Sequence, residues 1–487
     1  MVLIKILIGG CASVVLILTA VAWSLYRKRH IFEFAKNFNS FKFYPILGNY
    51  LQLRHTDLYN MMRKAYNELR LPCNLWLGHT YNLVTDDADT IKVILNHPDS
   101  LDKASVYCLV KMLFEDCLLV QNADAWRVRR KFFSKSFSQP ILNSYVHYFY
   151  SNSNVLLDVF RNGYDDLFNV FRRYSFDSFC EIIVGKNYNL QTETSNKLLE
   201  EMDVIQKYMG DNFTIGSSFG YIFQLKEFVA NGWSVILLLN KIKSFLSNMV
   251  DFRETELKKC PVIDSKLSFL DAMLTHSDLF LPSVTCKELN IFVLAATDTT
   301  GTALTFTFTL LGMYPEIQEK VYEEVITEIG RNTPIETDHL PKLKFTERVL
   351  LESMRILPPV PVVGRYITKD IKVGDKIFPK GANVFIYVLA LHHNSKYWPN
   401  PEKFDPDRFL PDEIANRSPY CYIPFSGGPR NCIGKTYAMM SMKVAVANVI
   451  RNFKISSKYK SIDEMEMTSF ITMRTKHDID CHFSPRT

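Results

Sequence analysis

A mainly α-helical chain with a minor β region, tethered by an N-terminal membrane helix, is what three features of this 487-residue sequence predict. An uncharged run, ILIGGCASVVLILTAVAWSL from Ile6 to Leu25, opens the chain. Helical patterning dominates from about 123 to 330 and includes a long apolar stretch over 286–313. Strand-like runs are few, at 73–84 and 366–389. With 47% hydrophobic and 22% charged residues the chain is an ordinary globular one with ample material for a core. Its net charge of +6 admits an acidic partner or an anionic surface without requiring nucleic acid.

At 1.5 Å per residue the opening run reaches about 30 Å, the thickness of a bilayer's hydrocarbon core. Arg27, Lys28, Arg29 and His30 follow it at once, and the positive-inside rule then places the bulk of the chain in the cytoplasm. Ala20-Val-Ala22 resembles a signal-peptide cleavage site, but the run exceeds a usual signal core and only Lys5 charges the segment before it. Residues 1–30 are therefore read as anchor and basic stop, 31–50 as a linker interrupted by Pro45-Ile-Leu-Gly48-Asn49, and 51–487 as one domain without repeats.

Within that domain, 53–70 reads as a helix, 73–77 and 80–84 as strands, and 87–96 as an amphipathic helix. The segment CKELNIFVLAATDTTGTALTFTFTLLGM, 286–313, is long and apolar enough for a buried central helix. Pro315-Glu316 starts the next one. Strands follow at Tyr366-Ile-Thr, Ile371 to Phe378 and Ala382 to Leu389, broken at Gly374-Asp375 and Lys380-Gly381, and a helix closes the pattern over 434–451. The ten cysteines form no CxxC pair or compact cluster, so neither a disulfide framework nor a structural zinc site is indicated.

The stretch FSGGPRNCIGKT, Phe425 to Thr436, ends like a phosphate-binding loop. That reading fails on register: counting back from Gly434-Lys435-Thr436 puts Pro429 where the first glycine belongs, and proline has no N–H to give a phosphate. Cys432 needs another role. Gly427, Gly428 and Gly434 let the backbone turn closely, Phe425 can shield a sulfur, and Arg430 can meet a bound anion. A single soft ligand in an apolar pocket suits the axial position of haem iron, because the macrocycle supplies the other four ligands.

Phe425-x-x-Gly428-x-Arg430-x-Cys432-x-Gly434 resembles the cysteine-loop signature of the cytochrome P450 family of haem-thiolate monooxygenases at every fixed position, and the likeness spans the chain. It implies the family's triangular-prism fold and a heme b (iron protoporphyrin IX) held through Cys432. Glu352-x-x-Arg355 and Arg408, in Pro406-Asp407-Arg408-Phe409, match the family's buried three-residue network, whose implied role is structural. Ala295-Ala296-Thr297-Asp298-Thr299-Thr300 matches the oxygen groove, with Thr299 implied beside oxygen and Asp298 as a proton relay. Trp126-x-x-x-Arg130, Arg365 and Arg430 match positions that meet haem propionates. The basic run around Trp126 has no accompanying nucleic-acid-binding motif.

The sequence departs from the family at three places. Ala296 replaces the groove's usual glycine. Ala295 replaces the glutamate that many insect members of the family-4 clan, which this chain resembles, esterify to haem, so the haem is expected to be non-covalent apart from the Cys432 bond. Of the family's proline-rich hinge only Pro45-x-x-Gly48-Asn49 is present. The resemblance further implies the endoplasmic reticulum membrane, O2, a lipophilic substrate, and NADPH acting only through NADPH-cytochrome P450 reductase; it also admits cytochrome b5. Pocket walls are expected at 101–119, 205–245, 291–303, Val360 to Val363 and 467–473. A haem-bearing sensor, and reductase-independent peroxide or isomerase chemistry, are the alternatives.

Overall fold

The computed structural model describes residues 22–54, 56–164, 166–192, 197–211, 232–260, 267–276, 280–469 and 471–486, together with Thr19 and Val262. Most of the expected anchor, and 212–231 of the expected pocket wall, lie outside the described residues.

The centre of the molecule is one helix, Pro282–Met313. It begins four residues before the expected start because Pro282 occupies its first turn, where a missing N–H costs nothing. From Glu288 to Leu311 every residue is buried except Ala295, Ala296 and Thr299. Its many threonines enter the core by donating to carbonyls one turn back: Thr305 to Gly301, Thr307 to Ala303 and Thr309 to Thr305, each at 2.7 Å. The flanking helix Leu167–Ile183 packs closely on it. At Gly301 a side chain would stand 3.1 Å from the Cα of Arg172, so the glycine permits the approach. About two turns further along the central helix, Phe308 stacks on Phe171 at 4.7 Å.

The β region is a six-stranded sheet with smaller ribbons beside it. Its strands are β1 (Asn39–Ser40), β2 (Cys73–Leu77), β3 (Thr80–Thr85), β4 (Asp102–Lys103), β5 (Val362–Tyr366) and, after the β6 (Ile371–Val373) and β7 (Lys376–Phe378) ribbon, β8 (Asn383–Tyr387). The order is β1-β2-β3-β8-β5-β4. β3 runs parallel to β8 with Asn82 opposite Asn383, which joins the N-terminal hairpin to strands formed three hundred residues later. β8 stops at Tyr387 and the chain turns directly into the helix Val388–His393, so the run to Leu389 is not all strand.

Two helices support the site from below: Lys344–Ile356 and Lys435–Asn452, the latter leaving the cysteine loop. The segment 31–50 carries most of helix Arg29–Ala35 and the strand β1, and it packs on the sheet through Phe32 stacked on Trp76 at 4.5 Å. Among the described residues one helix, Pro282–Met313, is long and apolar enough to cross a bilayer, and it is spent on the core.

Candidate functional site

The loop from Phe425 to Gly434 is held in one shape by sequence-specific backbone demands. Ser426 and Gly428 both have left-handed φ, 58° and 68°. At Gly428 a side chain would collide with the Leu95 carbonyl at the end of helix Ala88–Asn96, so only glycine lets the loop close there. The Cys432 N–H donates to the Phe425 carbonyl at 2.9 Å and returns the chain across the turn. Cys432 is exposed by its accessible surface, yet protein surrounds it, so its sulfur looks onto an interior space. Burial pushes its thiol up; the Gly434 N–H and the charges of Arg130, Lys103 and Lys435 oppose that. A bound metal would remove the proton outright.

Cations gather around this sulfur. Strand register sets Lys103 directly opposite Arg365, two like charges where a sheet would ordinarily avoid them. Arg430 joins them from the cysteine loop, stacked over Trp126 at 5.2 Å, and its guanidinium holds the carbonyls of Leu101 at 2.7 Å, Leu119 at 3.1 Å and Gln121 at 2.5 Å. Lys103 is held well below the lysine range by burial and by Arg365 and Arg430. Arg430 is pushed down to about 10 by burial and then Arg365. Among the described residues none of the three forms an ion pair. Asp102, whose charge reaches Arg430, is committed to the Ala123 N–H at 2.7 Å. Nε of Arg365 is buried without a hydrogen-bond partner.

Arg130 behaves differently from the others. Both arms of its fork engage Asn431, at 2.9 Å to the backbone carbonyl and 2.9 Å to the side chain, so it ties helix Ala123–Ser134 to the residue before Cys432. Lys103 and Tyr107, which carries the Lys103 ammonium over its ring at 5.0 Å, fall within the expected pocket wall 101–119, but sequence reasoning did not single them out beside the arginines. The pairing of β4 with β5 brings Lys103 to the site.

On the central helix, Ala295, Ala296 and Thr299 form one face that the surrounding packing leaves uncovered. The Thr299 hydroxyl donates to the Ala295 carbonyl at 2.7 Å. Asp298, turned about 100° away, faces the flanking helix instead. Arg172 Nε donates to it at 2.7 Å and Arg474 reaches it at 3.4 Å, while both arginines also hold Asp203, at 2.7 Å and 2.9 Å. Asp203 is half-buried, so this quartet runs from the core to solvent.

Glu352 and Arg355 meet on one face of helix Lys344–Ile356 through two hydrogen bonds of 2.7 and 2.9 Å. Arg408 approaches Glu352 at 3.5 Å, and the Asp405 N–H donates to it at 2.9 Å. The remaining arms of Arg355 hold the carbonyls of His392 at 2.8 Å and Pro401 at 2.7 Å. His392 in turn accepts the Ile423 N–H at 2.9 Å, which carries the brace to within two residues of the cysteine loop.

Among the described residues no cluster of three His, Cys, Asp or Glu could hold a metal alone. A lone cysteine beside enclosed cations that form no ion pair and an unpartnered guanidinium N–H fits a planar iron macrocycle with two carboxylates. Comparison with known proteins agrees. A family model for cytochrome P450 matches residues 39–481. Cytochrome P450 4p1 of Drosophila melanogaster is 29% identical, covering 91% of this chain and 90% of its own length. Cytochrome P450 4V2 of Mus musculus is 28% identical over 90% and 87%, and cytochrome P450 4d10 of Drosophila mettleri is 28% identical over 96% of each. With the family's model covering nearly the whole fold that carries the sulfur and its cations, the chain belongs to the cytochrome P450 family of haem-thiolate monooxygenases.

Proposed function

We propose that this monooxygenase inserts one atom of O2 into a lipophilic organic substrate: a fatty acid, a terpenoid or steroid hormone, or a foreign compound. Electrons come singly from NADPH through NADPH-cytochrome P450 reductase, with cytochrome b5 as a second donor, at the endoplasmic reticulum membrane. The observation that carries the reading is the Cys432 sulfur, presented to an interior space beside cations with no paired acid.

Bound haem would supply the oxygen chemistry, tuned by the Cys432 thiolate that would hold its iron. The chain does the rest. Cys432 would hold the iron, the Gly434 N–H would steady its sulfur, and Phe425, expected to shield the sulfur, fixes the loop through its carbonyl to the Cys432 N–H. Arg365 and Arg430, with Lys103, would hold the carboxylates, while Trp126 supports Arg430 through its ring face and Arg130 fixes the loop. Thr299 sits on the open face of the central helix; its lone pairs accept a proton donor while its own O–H rests on the Ala295 carbonyl. Asp298, one residue before Thr299, is the proton relay of this reading, and Arg172 and Arg474 hold it in place together with Asp203. Glu352, Arg355 and Arg408 brace the loop from behind.

The test is a panel of lipophilic substrates with purified chain, reductase, NADPH and isotopically labelled O2. Label in a product supports the reading; substrate-induced spectral shifts with no product in any well-coupled assay overturn it. The carbon monoxide band of thiolate-ligated haem, lost in Cys432→His, checks the ligand independently of turnover.

A further inference from the structure

Beside the N-terminal helix lies a cleft of about 470 Å³ that none of the chemistry above uses. Arg27, Lys28 and His30 line one side and Lys380, from the turn before β8, lines the other. No carboxylate is in its lining, and none pairs with Arg27, Lys28 or Lys380 among the described residues. Lys28 Nζ donates to the His79 carbonyl at 2.8 Å, His30 lies 3.2 Å from the Lys380 carbonyl, and the Arg27 guanidinium rests over the Trp23 ring at 4.6 Å. Asp370 accepts the Lys380 backbone N–H at 2.7 Å and stays outside the lining. Burial lowers Lys28, and burial together with Lys28 lowers His79, as expected where positive charge has no counter-ion.

The aromatic rim indicates where this cleft stands. Trp23 and Tyr26 are 60% and 64% exposed, with Arg29 over the Tyr26 ring at 4.7 Å. Exposed aromatics paired with cations are the composition of a membrane–water boundary. Leu25 ends the uncharged run, and Arg27 and Lys28 follow within about 3–4.5 Å of helix rise. The polar layer on each face of a bilayer is about 5–7 Å deep. The cations of the cleft therefore fall at headgroup depth when the run occupies hydrocarbon.

We infer that this cleft seats the phosphate of an anionic phospholipid headgroup, clamped between Arg27 and Lys28 on one wall and Lys380 on the other. The inference rests on the membrane reading proposed above. Lys380 is its diagnostic member, because it belongs to no basic run and reaches the cleft only through the fold, 350 positions from His30.

The haem-loaded full chain in detergent is titrated with dihexanoyl phosphatidylserine and, separately, dihexanoyl phosphatidylcholine, below their micelle concentrations, with tryptophan fluorescence as the readout. The serine lipid is expected to bind more tightly, and Arg27→Gln and Lys380→Gln each to weaken it about five-fold. Lys460→Gln, an exposed cation elsewhere, leaves it unchanged. Haem content and the carbon monoxide band confirm that each variant is folded. Equal affinity for the two lipids, or an unchanged Lys380→Gln, overturns the inference. Displacement of the lipid by inorganic phosphate at matching concentration assigns the cleft to a free anion and overturns the lipid source. Flotation of the wild type on phosphatidylcholine vesicles reads the membrane proposal separately: failure to float sinks that proposal, whereas flotation without headgroup preference sinks only the cleft.

Discussion

Around Glu352 opposite charges close on one another, whereas around Arg365 three charges of one sign share a space with no paired carboxylate. Glu352 is met by Arg355 in a two-bond fork and by Arg408, and the leftover arms of Arg355 go to backbone carbonyls. Lys103, Arg365 and Arg430 repel one another, and Nε of Arg365 has no partner. Both clusters are buried and both contain two arginines. The first is complete within the polypeptide; the second is complete only when an anion joins it. A fold that tolerates such repulsion spends stability on a ligand site, and the two clusters should respond to mutation with opposite signs.

The largest effect is expected at Glu352→Gln, which leaves Arg355 and Arg408 in the interior without their carboxylate. Denaturant unfolding of the haem-free protein should show a loss of about 3–5 kcal/mol. Next come Arg365→Leu and Lys103→Met. Each should leave the haem-free protein as stable as before or more so, since repulsion is relieved. Each should speed haem transfer to apomyoglobin by about ten- to a hundred-fold, the weight of a lost charge-assisted hydrogen bond. Destabilisation of the haem-free protein by these two variants would erase the contrast between the clusters.

pH should sharpen it. Lys103 is depressed by burial, Arg365 and Arg430, so below the ordinary lysine pKa the folded haem-free chain binds fewer protons than the unfolded chain. Its stability therefore rises with pH over the window between the depressed and the ordinary value. An anion restores the lysine's charge, so haem binding takes up a proton and haem affinity falls across the same window. Lys103→Met should flatten both slopes, measured by unfolding and by haem titration as pH is raised. The smallest effect belongs to Lys403→Ala. Its ammonium pairs with Asp405 at 2.9 Å but is 67% exposed, while its backbone carbonyl serves Arg355 and survives the change. A loss under about 1 kcal/mol in the same unfolding assay is expected.

What was legible in the sequence follows from distance along the chain. Glu352 and Arg355 are one helical turn apart, so their meeting is written in the spacing, as is the cysteine loop with its glycines. Lys103 was not legible because its partner stands across a strand pair that joins residues 102–103 to 365–366. The same holds for Asp298. The family resemblance implied a groove with Asp298 as its relay, but its arginine partners come from helix Leu167–Ile183 and the strand Met473–Thr475, which no local period reveals. The central helix was found and its start misplaced, since the apolar signal fades before Pro282 while the helix needs only a tolerated first turn.

The parallel pairing of β3 with β8 bears on how the molecule is made. Asn82 finds Asn383 only after some three hundred intervening residues have been synthesised, so the hairpin of β2 and β3 leaves the ribosome with an unpaired edge and must wait. Contacts of such sequence separation form slowly, and exposed edges invite aggregation meanwhile. β5, which brings Arg365, docks on β8, and Cys432 emerges later still. Haem loading is therefore a late event in the life of the nascent chain, and its timing is set by strand order rather than by haem supply alone.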